Sequence, residues 1–126
     1  MADRPSTVPL ARILLLADSL LWLAFATMTA VGAHPSFGPM TGHRWPVTLL
    51  ALLVAGLLGG LAVHLRKPTP LGYWLGIGFL ASMILASLFD QFGFADLIFV
   101  SSVALPLLLL VRDRTWYRRP GIYGER

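Results

Sequence analysis

Four blocks of apolar residues, at about 10–31, 47–65, 71–89 and 94–111, constrain this chain more than any other feature. Each is long enough for a helix to cross the roughly 30 Å hydrocarbon core of a bilayer. Runs such as Leu49-Leu50-Ala51-Leu52-Leu53-Val54-Ala55 and Leu107-Leu108-Leu109-Leu110-Val111 are continuously apolar and built of helix formers. Strands of a membrane barrel would be shorter and would alternate in polarity. Of the 126 residues 56% are hydrophobic and 13% charged, with a mean hydropathy of +0.73, too little polarity to cover a domain in water. The sequence therefore predicts an all-α integral membrane four-helix bundle, a single domain spanning 1–126, with a basic tail over 112–126.

The punctuation agrees with the blocks. His34-Pro35, Gly38-Pro39 and Gly42 interrupt the chain after the first, and Pro46 is expected near the start of the second helix. Pro68-Thr69-Pro70 separates the second and third, with Thr69 as expected N-cap and Pro70 at the first helical position. Gln91-Phe92-Gly93 leaves a short turn before the fourth. Short connections make neighbours antiparallel, hence an up-down-up-down order.

Basic residues set the expected orientation. With the N-terminus inside, Arg4, Arg12, Arg66, Lys67, Arg112, Arg114, Arg118, Arg119 and Arg126 all fall on the cytoplasmic side and Arg44 alone lies outside. Such a bias places both termini in the cytoplasm of a cell inner membrane. Trp45 would border the outer interface, and Tyr73, Trp74, Trp116 and Tyr117 the inner one. Residues 1–31 also have the outline of a cleavable signal peptide, but the apolar stretch is long for that role and contains Asp18. The pI near 10.4 follows from these flanking cations, so no nucleic-acid partner is expected. The chain has no cysteine, which removes disulfides, thiolate nucleophiles, iron–sulfur ligation and most zinc sites.

Small residues recur at four-residue spacing, which in lipid lets helix backbones approach. Gly56 and Gly60 form such a pair in the second helix, beside a row of Ala51, Ala55 and Gly59. Gly72 and Gly76 repeat it in the third, as do Gly78, Ser82 and Ala86. Packing within the chain is the first expectation for these rows; a homo-oligomer or a membrane-protein partner is the alternative.

Polar residues within the spans are few. Asp18 lies inside the first block, where a carboxylate needs a proton or a partner. With His64 it is a candidate proton or cation relay, against a structural role in fixing helix register, with Trp22 one turn along the same face. Gly60 lies four residues before His64, a spacing similar to that of light-harvesting polypeptides that bind a pigment, so pigment or haem ligation by His64 is a further alternative; otherwise no cofactor is expected. Asp90 and Asp96 near the outer turn, with His34 and His43 in the first loop, are candidates for an outer cation site. The simpler expectation is that Asp90 caps the fourth helix and Asp96 occupies its first turn. No metal site is diagnostic. Ser101 and Ser102 precede Pro106, which frees the Ser102 carbonyl and should kink the helix; no base or elbow makes either serine a nucleophile.

The segment Phe89-Asp90-Gln91-Phe92-Gly93-Phe94-Ala95-Asp96, then the leucine run and Val111-Arg112-Asp113-Arg114-Thr115-Trp116-Tyr117, resembles the ending of small four-span membrane proteins of bacteria. It covers about a quarter of the chain. The resemblance implies a membrane protein and carries no activity. On these grounds the chain is expected to be non-enzymatic, an accessory subunit or interaction partner of a larger membrane assembly acting through helix packing. The second expectation is a proton, ion or small-solute channel or transporter using Asp18.

Overall fold

A computed structural model describes residues 4–35, 42–89 and 93–118. Of these residues 82% are helical and none is in a strand. Helix α1 spans Thr7–Ala30, α2 Arg44–His64, α3 Pro70–Leu88, α4 Phe94–Arg112, and a short α5 Arg114–Tyr117. Three of them, α1, α2 and α3, are long and apolar enough to cross a membrane. Most of their residues face outward, and large apolar side chains such as Leu20, Leu49, Leu53 and Leu71 are exposed. Such a surface suits an apolar, lipid environment. Helix α4 has 19 residues, about 28 Å at 1.5 Å per residue, and has Asp96 in its first turn and Arg112 in its last.

Local chemistry sets the ends. Helix α1 starts three residues earlier than hydropathy suggests, because Pro9 is tolerated within a first turn. It stops in a Schellman motif. Gly32 takes φ 72°, its N–H donates to Thr29 O at 3.1 Å, and Ala33 N–H donates to Met28 O at 2.9 Å. Helix α2 likewise starts at Arg44, so Pro46 occupies its third position. Thr69 caps α3 as expected: its Oγ1 accepts from Gly72 N–H at 3.3 Å, with Pro70 first in the helix. The N-cap of α4 is Gly93, whose N–H donates to the Asp96 carboxylate at 2.8 Å. Asp90, expected there, lies outside the described residues.

Side-chain contacts fix how the helices run. Arg12 Nε meets Ala62 O and Ser19 Oγ meets Ala55 O, so seven residues forward on α1 is seven back on α2, an antiparallel pair. Thr7 bonds Asp113 while Trp22 meets Phe99 edge to face at 5.4 Å, so α4 also runs against α1. Helix α3 packs on α4, and α2 barely touches α3. The core runs along these contacts through Val8, Leu15, Leu58, Leu80, Val103 and Leu110.

Candidate functional site

The residues that the sequence singles out lie in the buried middle of α1 and α4, on the open face between α2 and α3 and near the ends that precede α2 and α4, and the structure adds the end where α1 begins and α4 finishes.

Asp18 is 4% exposed, and its neighbour in α1, Ser19, spends its hydroxyl on Ala55 O at 2.8 Å. The Asp18 carboxyl group lies near the side chain of Ser102 on α4, and its Oδ2 is buried with no hydrogen-bond partner among the described residues. Ser102 itself donates to Phe99 O at 2.8 Å. By contrast the buried Thr29 and Thr48 hydroxyls bond carbonyls one turn back in their own helices. Trp22, one turn along from Asp18, packs on Phe25 and Phe99. His64 is not brought to Asp18. From the α1–α2 register, His64 stands opposite residue 10, about 12 Å along the axis from Asp18. Its ring lies instead against Gly72, and Nε2 is 3.3 Å from Thr69 Oγ1.

The small residues divide sharply. Ala51 and Ala55 are buried, and a Cβ added at Gly59 would lie 3.3 Å from Ser19 Oγ, so this row is the seam between α2 and α1. On α3, a Cβ at Gly72 would stand 2.5 Å from His64 Cδ2, and one at Gly76 would stand 3.3 Å from Leu110 and Leu61. Gly72 and Gly76 are therefore packed within the chain. Gly56 and Gly60 are exposed, with nothing within 4 Å of an added Cβ. They line an apolar groove of about 420 Å³ with Leu61, His64, Leu75 and Phe79.

The outer candidates do not converge among the described residues. Asp96 is engaged by Gly93 N–H, His43 is the exposed residue before α2, and the His34 ring meets Phe25 edge to face at 5.3 Å. No group of three His, Cys, Asp or Glu that could hold a metal ion occurs among the described residues.

At the opposite end the structure assembles groups that hydropathy assigned to a tail. Asp113 is 7% exposed and accepts from Thr7 Oγ1; Tyr117 is 0% exposed and stacks on Tyr73 at 6.0 Å. Trp116 packs edge to face on Tyr117, and Arg118 lies over Trp74. Burial pushes the Tyr117 phenol up to about 12, with the negative charge of Asp113 adding to the shift. The signal for this cluster was present as Trp116-Tyr117 directly after a span, a belt position whose contacts run inward onto α3.

Compared with protein-family models, with curated proteins and with solved structures, the chain matches none.

Proposed function

We propose that this chain is a non-enzymatic integral membrane protein that works by helix packing, as a subunit or interaction partner of a larger membrane assembly. In this proposal α1 to α4 all span the inner membrane, up-down-up-down, with both termini in the cytoplasm, in keeping with the nine-to-one distribution of basic residues. The observation that carries it is the open face of α2. A Cβ added at Gly56 or Gly60 would meet nothing among the described residues, yet the pair has the spacing that lets a second helix approach closely, and it adjoins an apolar groove. Because the space over them is empty, larger residues fit there without disturbing the fold. Gly60→Leu should therefore fold as wild type and lose association. The test is native mass spectrometry after gentle detergent extraction: a larger wild-type assembly, reduced to the single chain in Gly60→Leu, supports the proposal. A wild-type chain that is monomeric throughout sinks it. Topology reporters at Gly42 and after Arg126 test the orientation separately.

A second function, conduction of protons or small cations, has one observation in its favour: the unpartnered, buried Oδ2 of Asp18 beside Ser102.

A further inference from the structure

Positive charge is gathered where α1 begins and α2 ends. Arg12 is held by donating Nε–H to Ala62 O at 2.8 Å, which leaves its two terminal amino groups for another acceptor. Arg66, one turn past Ala62, and Arg4, just ahead of α1, both stand within electrostatic reach of Arg12. The Arg4 guanidinium lies 5.9 Å from the Trp116 ring centroid, and both Arg4 and Arg66 are exposed. Among the described residues, the acid that shares this corner is Asp113, and its carboxylate is occupied by Thr7. Three guanidinium groups thus outnumber one engaged carboxylate.

Within the same corner lies the Tyr117 hydroxyl. The residue is 0% exposed and its oxygen has no hydrogen-bond partner among the described residues, while Arg4, Arg12 and Asp113 are within electrostatic reach of it. A buried phenol without an acceptor is costly to maintain. An oxyanion would satisfy the phenol and the arginines together.

We propose that Arg4, Arg12, Arg66 and the Tyr117 hydroxyl form a binding site for a phosphate-bearing anion, whether the headgroup of an acidic phospholipid or free phosphate. Guanidinium forks match the paired non-ester oxygens of a phosphate, and the phenol supplies a further donor. The surrounding belt of Tyr73, Trp74 and Trp116 is the kind that sits at headgroup depth. The site is separate from the α2–α3 face and does not depend on the packing proposal.

The test uses the full chain in an uncharged detergent. Phosphatidylglycerol, phosphatidylcholine and inorganic phosphate are titrated separately against thermal stability and by native mass spectrometry. Phosphatidylglycerol should bind and stabilise, whereas phosphatidylcholine should do neither. The Arg4→Gln/Arg66→Gln variant should bind roughly 30-fold more weakly. Arg112→Gln/Arg114→Gln removes the same charge from exposed positions at the same end and should bind as wild type. Tyr117→Phe, which removes one oxygen, should weaken binding on its own and keeps the test valid if the double arginine variant fails to fold. Protection by inorganic phosphate as well identifies a site for the free anion; protection by lipid alone identifies a headgroup site. No stabilisation by either, or equal losses in the two double variants, overturns the proposal.

Discussion

Arg12 Nε donates to the carbonyl oxygen of Ala62 across the α1–α2 seam at 2.8 Å. The reason that oxygen is available lies in the end of α2. Its expected partner is the N–H of Arg66, four residues on, but that N–H bonds Val63 O at 3.2 Å as the last turn tightens. Arg12 thus acts as a cap supplied by a neighbouring helix. Arg12→Leu keeps the apolar stem and leaves the carbonyl without its partner. It should lower stability in detergent by about 1–2 kcal/mol, a moderate value because the bond is part-exposed. Thermal denaturation compared with Arg66→Gln checks this, since Arg66 gives no side chain to the cap.

The glycines predict opposite outcomes for one kind of substitution. Gly72→Ala would place a methyl 2.5 Å from the His64 ring and 2.8 Å from Thr69 Oγ1, so the ring or the N-cap must move. A loss of about 1–3 kcal/mol is expected. Gly60→Ala meets open space and should hold or slightly raise stability, through better helix propensity worth up to about 1 kcal/mol. Equal melting temperatures for the two variants would contradict the placement of α3 against His64.

Tyr117 gives a pH dependence with a definite sign. Its phenol is pushed up from 10.0 to about 12, so the folded chain holds the neutral form where the unfolded chain already ionises. Its contribution is complete below pH 10 and falls away as pH rises from there through about 12. Alkaline melts of wild type should steepen in that window, and Tyr117→Phe should flatten it. At neutral pH, with no anion added, Tyr117→Phe loses only an unpartnered hydroxyl and should be close to neutral in stability.

Much of the backbone was legible in the sequence, while the rotational setting of each helix was not. Block lengths gave the helices to within a few residues, and Thr69-Pro70 gave the start of α3, because spanning length and capping chemistry are local. The glycine pairs at 56/60 and 72/76 look alike as spacings. Only one pair is packed within the chain, and with every face of the helix apolar there is no polar side to say which way it turns. The same uncertainty of phase made Asp18 and His64 plausible partners, although the α1–α2 register puts them at different depths. Asp113 and Tyr117 were read only in part for another reason. Tyr117 was expected at the inner interface and Asp113, flanked by arginines, in a basic tail, whereas Thr7 and Tyr73 draw them inward.

Asp18 separates a structural from a conducting role. Ser102 has a single hydroxyl proton and already directs it to Phe99 O at 2.8 Å, so a hydrogen bond between Ser102 and position 18 needs a donor on the position-18 side. Asp18→Asn supplies that donor through its amide and preserves shape, but cannot release a proton. If Asp18 is structural, Asn should fold and melt nearly as wild type. On that structural reading Asp18→Leu leaves no polar group at position 18 to meet Ser102 and should cost about 1–3 kcal/mol. If Asp18 conducts, both variants should abolish proton or cation flux in liposomes, and Asn should do so while fully folded. Wild-type liposomes silent under both a pH gradient and a membrane potential would eliminate conduction. A folded Asn variant that loses a strong wild-type flux would show instead that the Oδ2 left unpartnered beside Ser102 is a station for a proton or cation on its way through the bundle.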